Sequence, residues 1–140
     1  MTFEQMNLDQ NIIRALHTLG YEQPLPVQEQ VIPNILSGKD CIVKSRTGSG
    51  KTASFAIPII QNLEIDERSP QALVLTPTRE LALQIQQDFD RIGTFKKIKT
   101  LPIFGKQPFK FQKEDLKQRC HVVIGTPGRV LDHLQQQTLD

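Results

Sequence analysis

Apolar positions recur every three or four residues near the start of the chain. Ile12, Ile13, Leu16 and Leu19 fall on one face, with Asp9 before them and Gly20 after. This spacing predicts a helix to about residue 19 with Asp9 as its cap. Pro24 and Pro26 then interrupt the chain, and Pro26 suits the first turn of a second helix, about Val27–Leu36. Pro33 predicts a kink there or a delayed start, and Ser37-Gly38 a stop.

From residue 41 the pattern changes to short apolar runs with little alternation. Cys41-Ile42-Val43, Ala72–Leu75, Lys99–Phe104 and His121–Ile124 read as strands. Helices are expected between and after them, over about 51–63, 79–92, 109–118 and 128–137. Strand and helix in alternation mean an α/β fold, and unalternating apolar strands suit a parallel sheet covered on both faces.

Composition narrows the class. The chain has 140 residues, 38% hydrophobic and 23% charged, as in a globular domain. No apolar run approaches the ~18 residues of a membrane span, and Met1–Gln5 does not resemble a signal peptide, so a cytoplasmic location is expected. Cys41 and Cys120 each lie in an apolar run and read as buried core residues. His17, His121 and His133 have no zinc-type spacing. The net charge of +2 is unevenly spread: nine basic residues between Arg91 and Arg119 face only Glu114 and Asp115. Such a stretch is either a solvated surface or a holder of phosphate backbone.

The sharpest chemical signal is Ser45-Arg46-Thr47-Gly48-Ser49-Gly50-Lys51-Thr52, placed after an apolar run and before a helix. This is the context of a phosphate-binding P-loop. Gly48 and Gly50 free the backbone to aim N–H groups at one anion, and the helix start adds positive potential. Lys51 is expected on the β- and γ-phosphates and Thr52 on Mg²⁺. Ser45 stands where a first glycine is usual.

A second signal occurs twice. Thr76-Pro77-Thr78-Arg79 follows one strand and Thr126-Pro127-Gly128-Arg129 another. Threonine can cap the helix that follows, and proline presets its first turn. An arginine in that turn opposes the helix dipole. Either it pairs with a carboxylate such as Glu80 or Asp132, or it meets a bound anion. In a parallel sheet both turns emerge on the ligand-binding edge, with the P-loop.

Together these segments resemble the first RecA-like domain of a DEAD-box RNA helicase. Gly20–Gln28 is similar to the adenine-reading Q motif, with Gln28 implied on the adenine edge and Phe3 on its ring. Ser45–Thr52 resembles the family's ATP loop, with Thr47, Gly48, Ser49, Gly50, Lys51 and Thr52 implied on the nucleotide. Pro77, Thr78, Arg79, Gly105, Thr126, Pro127, Gly128 and Arg129 match positions that hold the RNA backbone without reading sequence. Leu25 replaces the Q motif's threonine, and Gly105-Lys106 replaces the family's usual Gly-Gly at an RNA-contact position, where Lys106 could supply charge. Phe104-Gly105-Lys106 is similar to bacterial members that act on ribosomal RNA.

The resemblance implies an incomplete RecA-like P-loop domain over residues 1–140, with an adenine-recognition region (1–38) and a P-loop and RNA-contact region (39–140). It ends before the Asp-Glu-Ala-Asp motif and lacks a second RecA-like domain, so the isolated chain is expected to be catalytically inactive and poorly stable. The expected cofactors are ATP and Mg²⁺, and the expected partner RNA. A non-catalytic nucleotide- or RNA-binding fragment and a small P-loop phosphotransferase are the alternatives.

Overall fold

The computed structural model describes residues 1–44, 46 and 50–139. Two compact units emerge, Met1–Leu63 with Arg91–Lys97, and Glu64–Asp90 with Ile98–Asp140.

The first unit is helical. Helix α1 (Gln10–Thr18), α2 (Pro26–Leu36) and α3 (Lys51–Asn62) form where the apolar spacing places them. Phe3, Ile12, Leu16, Ile32, Ile57 and Ile60 are fully buried here. Pro26 opens α2, so Pro33 does not delay its start. Asp9 sits at the N-cap position of α1, yet its carboxylate does not cap. It pairs instead with Lys96 Nζ at 3.1 Å and accepts from Gln61 Nε2 at 3.2 Å. Lys96 Nζ also donates to the carbonyls of Ile60 (2.7 Å) and Gln61 (3.0 Å), capping the end of α3. Buried charge is tolerable there because every proton of the ammonium has a partner.

The run at Cys41–Lys44 is not a strand. Cys41 is exposed rather than buried, and Ile42 projects fully into solvent. A strand exists only where a neighbour completes its hydrogen-bond ladder, and no described strand pairs with this segment.

The second unit is a parallel sheet flanked by helices. Its strands β1 (Ala72–Leu75), β2 (Thr100–Ile103) and β3 (Val122–Gly125) lie in the order β1-β3-β2. Helix α4 (Arg79–Ile92, whose last residues belong to the first unit) follows β1, α5 (Phe109–Leu116) links β2 to β3, and α6 (Pro127–Gln135) follows β3. Paired on both sides, β3 is buried at every position. Ile103, Cys120, Val123, Val130 and Leu139 form one cluster, with Leu101 and Leu116 packed on it. Gly125 is required here: a Cβ would lie 2.5 Å from the Ile103 carbonyl oxygen and 2.6 Å from Val130 Cγ2.

His121 is wholly buried and structural. Its Nδ1 accepts the Lys99 N–H at 2.8 Å and its Nε2 donates to the Ile65 carbonyl at 2.9 Å. Burial pushes the Cys120 thiol up to about 11.

Two outcomes are expected. Gly125→Ala should destabilise the fold by about 1–3 kcal/mol through overpacking, read as a lowered melting temperature; an unchanged melt would contradict the close approach. Because the thiolate is the reacting form, a thiol reagent at pH 8 should modify Cys41 in the native chain and Cys120 only after unfolding. Equal native rates would contradict that burial pattern.

Candidate nucleotide and nucleic-acid sites

In the first unit the residues expected to hold a nucleotide converge at the start of α3. Gly50 is its N-cap in the left-handed region (φ 86°), and Lys51 and Thr52 open the helix. A Cβ at Gly50 would come 2.7 Å from both Gln28 Nε2 and Leu25 Cδ1, so only glycine fits. Ser45, Thr47, Gly48 and Ser49 lie outside the described residues.

Gln28 is buried on α2 beside that helix start. Its Oε1 accepts the Leu25 N–H at 2.9 Å, and its Nε2 donates to the Gly50 carbonyl at 3.4 Å. One lone pair and one proton of the amide remain for a ligand. The amide borders a cleft of about 510 Å³ lined by Gly20, Tyr21, Glu22, Gln23, Leu25 and Gly50. Phe3 does not line it. It is 1% exposed, with its ring centroid 6.5 Å from that of Tyr21.

In the second unit both Thr-Pro-x-Arg turns leave one edge of the sheet, after the adjacent strands β1 and β3. The register pairs Leu75 with Gly125. The Thr76 N–H donates to the Gly125 carbonyl, and the Thr126 N–H to the Ile103 carbonyl, both at 2.9 Å. The two turns therefore sit side by side. Pro77 and Thr78 are exposed in one, Pro127 and Gly128 in the other, and Gly105 is exposed just beyond β2.

The helix caps differ from the expectation. Thr78, not Thr76, caps α4, with its hydroxyl accepting the Leu81 N–H at 3.2 Å. The Thr76 hydroxyl donates to the Thr78 carbonyl at 3.0 Å. Thr126 occupies the N-cap position of α6, but its hydroxyl does not cap.

The two arginines are held differently. The Arg79 guanidinium lies 4.8 Å from the Phe104 ring centroid and pairs with no described carboxylate. Arg129 is 17% exposed, with Nε 3.6 Å from Asp132 Oδ2. Its Nη1 donates to the Gln107 carbonyl at 2.8 Å and to Gln112 Oε1 at 3.1 Å. The carboxylate pairing considered for these arginines thus occurs at Arg129 alone.

Residues 25–140 match the DEAD/DEAH box helicase family. The chain belongs to that family. It is 55% identical over 137 residues to the ATP-dependent RNA helicase DbpA of Bacillus subtilis, covering 98% of this chain and 29% of that protein. It is 42% identical to the DEAD-box ATP-dependent RNA helicase CshA of Geobacillus kaustophilus, covering 99% of this chain and 30% of that one. The chain therefore spans under a third of these relatives. A crystal structure of a DEAD box protein from Methanococcus jannaschii superposes with a TM-score of 0.94 at 41% identity, over 100% of this chain and 38% of that one. A Saccharomyces cerevisiae Dbp5 variant bound to RNA and ADP BeF3 gives 0.90 at 28% identity, over 99% and 35%.

Part of the basic stretch of this DEAD/DEAH box chain is engaged within the fold. Lys96 is spent on the end of α3, Lys117 pairs with Glu114 at 3.2 Å, and Arg119 Nη1 donates to the Ile65 carbonyl at 3.4 Å. Lys97, Lys99, Lys106 and Lys113 are exposed. Sequence reasoning missed the buried pair Gln112 and His133, 3% and 0% exposed. Both sit singly in helical segments, and only the tertiary fold brings them together. Burial, then the Arg129 charge, lowers the His133 pKa.

Gly50→Ala should weaken nucleotide binding about tenfold or more, since it adds a left-handed strain of ~1–2 kcal/mol to the clash with Gln28. Titration with a fluorescent ATP analogue checks this, and undiminished affinity would contradict the proposed role of Gly50.

Proposed function

We propose that the chain is the N-terminal part of an ATP-dependent RNA helicase that couples ATP binding and hydrolysis to holding, and locally opening, RNA. The observation that carries this is the register of β1 against β3, which sets two Thr-Pro-x-Arg turns next to each other on one sheet edge. A phosphotransferase acting on a small molecule gives no reason for that pair.

In this reading the free donor and acceptor of Gln28 select adenine, with Tyr21 on the cleft wall and Phe3 behind it. The Thr47–Gly50 backbone and Lys51 bind the phosphates. The absence of room for a Cβ at Gly50 supports a helix start packed directly against Gln28, which sets the phosphate loop beside the adenine-reading amide. Thr52 holds Mg²⁺ through its hydroxyl, and the ion supplies neutralising charge to the phosphates. Pro77, Thr78, Arg79, Gly105, Thr126, Pro127, Gly128 and Arg129 hold one RNA strand by its sugar-phosphate backbone. Among the described residues no helix is long and apolar enough to cross a membrane; a cytoplasmic site of action is part of the proposal.

The same reading gives the 140-residue chain alone a binding role without turnover. Catalysis needs an acidic motif and a second RecA-like domain in the full-length parent. Exposure of Leu73 and Leu75 on β1, which is paired on one side only, supports a further strand beside it in the parent.

The test is ATP turnover by the full-length parent with and without single-stranded RNA. RNA should stimulate turnover, Lys51→Ala should abolish it, and GTP should compete poorly. RNA affinity should fall steeply with salt and vary little with sequence. Turnover indifferent to RNA, or Lys51→Ala activity within a few-fold of the unaltered parent, would overturn the proposal.

A further inference from the structure

We infer that Gln112 is a positioning residue of the RNA-contact edge: its buried amide, held by His133, aims the Arg129 guanidinium and fixes the Phe104–Gly105 turn against one RNA strand. The inference rests on the RNA reading above and adds a residue to it.

Gln112 lies on α5, away from both Thr-Pro-x-Arg turns in sequence, and is 3% exposed. Every bonding position of its amide is used. Nε2 donates to the Phe104 carbonyl at 2.9 Å and to Gln107 Oε1 at 3.3 Å. Oε1 accepts from Arg129 Nη1 at 3.1 Å and from His133 Nε2 at 2.9 Å. An amide has two protons and two carbonyl lone pairs, so this set is complete.

The chemistry at Oε1 fixes the histidine. An oxygen acceptor requires the proton on His133 Nε2, which leaves Nδ1 to accept the one Thr138 hydroxyl proton at 2.7 Å in place of the more distant His133 carbonyl at 3.1 Å. The ring is also clamped flat on Phe109, with centroids 4.1 Å apart and planes 9° apart. Gln112 is thus anchored from behind by a group that has no freedom to turn.

On the other side the amide reaches two of the three segments expected to touch RNA directly, and the third through Phe104. It holds Arg129 by Nη1, while Nη2 makes no bond to a described residue. The guanidinium is planar and rigid, so fixing one terminal nitrogen and Nε directs the other. It holds the Phe104 carbonyl, next to exposed Gly105. The ring of Phe104 carries Arg79. Core packing alone could be met by an apolar side chain of similar volume. A fully bonded buried amide instead specifies orientation.

The test uses the full-length parent and a fluorescent poly-uridylate single strand, with anisotropy read over a series of salt concentrations. Arg129→Ala is expected to weaken binding about tenfold and to lower the salt slope by about one. Gln112→Leu should reproduce both effects although it removes no charge, and the double variant should bind within about twofold of Arg129→Ala alone. His133→Gln, which can still donate to Gln112, should retain affinity, whereas His133→Leu should lose it. Parent-like affinity and slope for Gln112→Leu would overturn the inference, as would a double variant whose loss is the product of the single losses. If Gln112→Leu shows no cooperative melt, the His133 pair decides: equal affinities for His133→Gln and His133→Leu overturn it. A parent that does not bind the strand at all overturns the RNA reading itself. Weakening by Arg129→Ala with parent-like Gln112 and His133 variants overturns only this inference.

Discussion

The parallel ladder between β1 and β3 is the constraint on which the second unit depends. Its register runs from Ala72 opposite Val122 to Leu75 opposite Gly125. Two four-residue strands aligned at both ends must release their following turns at the same level of the sheet. The Thr76 N–H continues this ladder one step further to the Gly125 carbonyl, and the Thr126 N–H does the same for the β2–β3 ladder at the Ile103 carbonyl. A one-residue slip would invert the strand faces and separate the turns. The missing Cβ of Gly125 is part of the same constraint, because it lets β3 lie against Ile103 and Val130.

Given that geometry, in the proposed RNA reading the two arginines divide the work of meeting an anion. Arg79 rests on the face of Phe104 and keeps its nitrogens toward solvent, with the ring compensating part of its charge. Arg129 is tied down by Gln107, Gln112 and Asp132. One is adaptable and the other preorganised. For a partner whose repeating feature is a phosphate at regular spacing, a fixed cation sets the register, and a looser one accommodates the path of the strand. Gly105 and Gly128 are exposed, with open space where a side chain would lie, as the proposed reading requires for the backbone of that strand.

Much of this was legible in the sequence because it is local. Helix α4 was readable as Arg79–Ile92 from the spacing of Ala82, Ile85, Phe89 and Ile92, all buried. Strands β1 and β3 were readable as short apolar runs bounded by turn residues. What failed depended on partners distant in the chain. Cys41–Lys44 has a strand's composition but no described neighbour to bond with. Asp9 and Lys96 looked like a helix cap and an RNA-facing charge, yet they satisfy each other and the end of α3. No periodicity could have joined Gln112 on α5 to His133 on α6. In the candidate site, Gly50 and the paired turns were visible from motif spacing, whereas the burial of Phe3 behind Tyr21 and the anchoring of Arg129 were not.

The central claim is that the edge formed by the turns after β1, β2 and β3 receives a single nucleic-acid strand. Hydrogen–deuterium exchange of the full-length parent, with and without a poly-uridylate strand, measures this without altering any residue. Slowed exchange should appear at residues 76–81, 104–107 and 126–130, on the three turns together. Protection confined to other segments, with these three unchanged, would contradict the account.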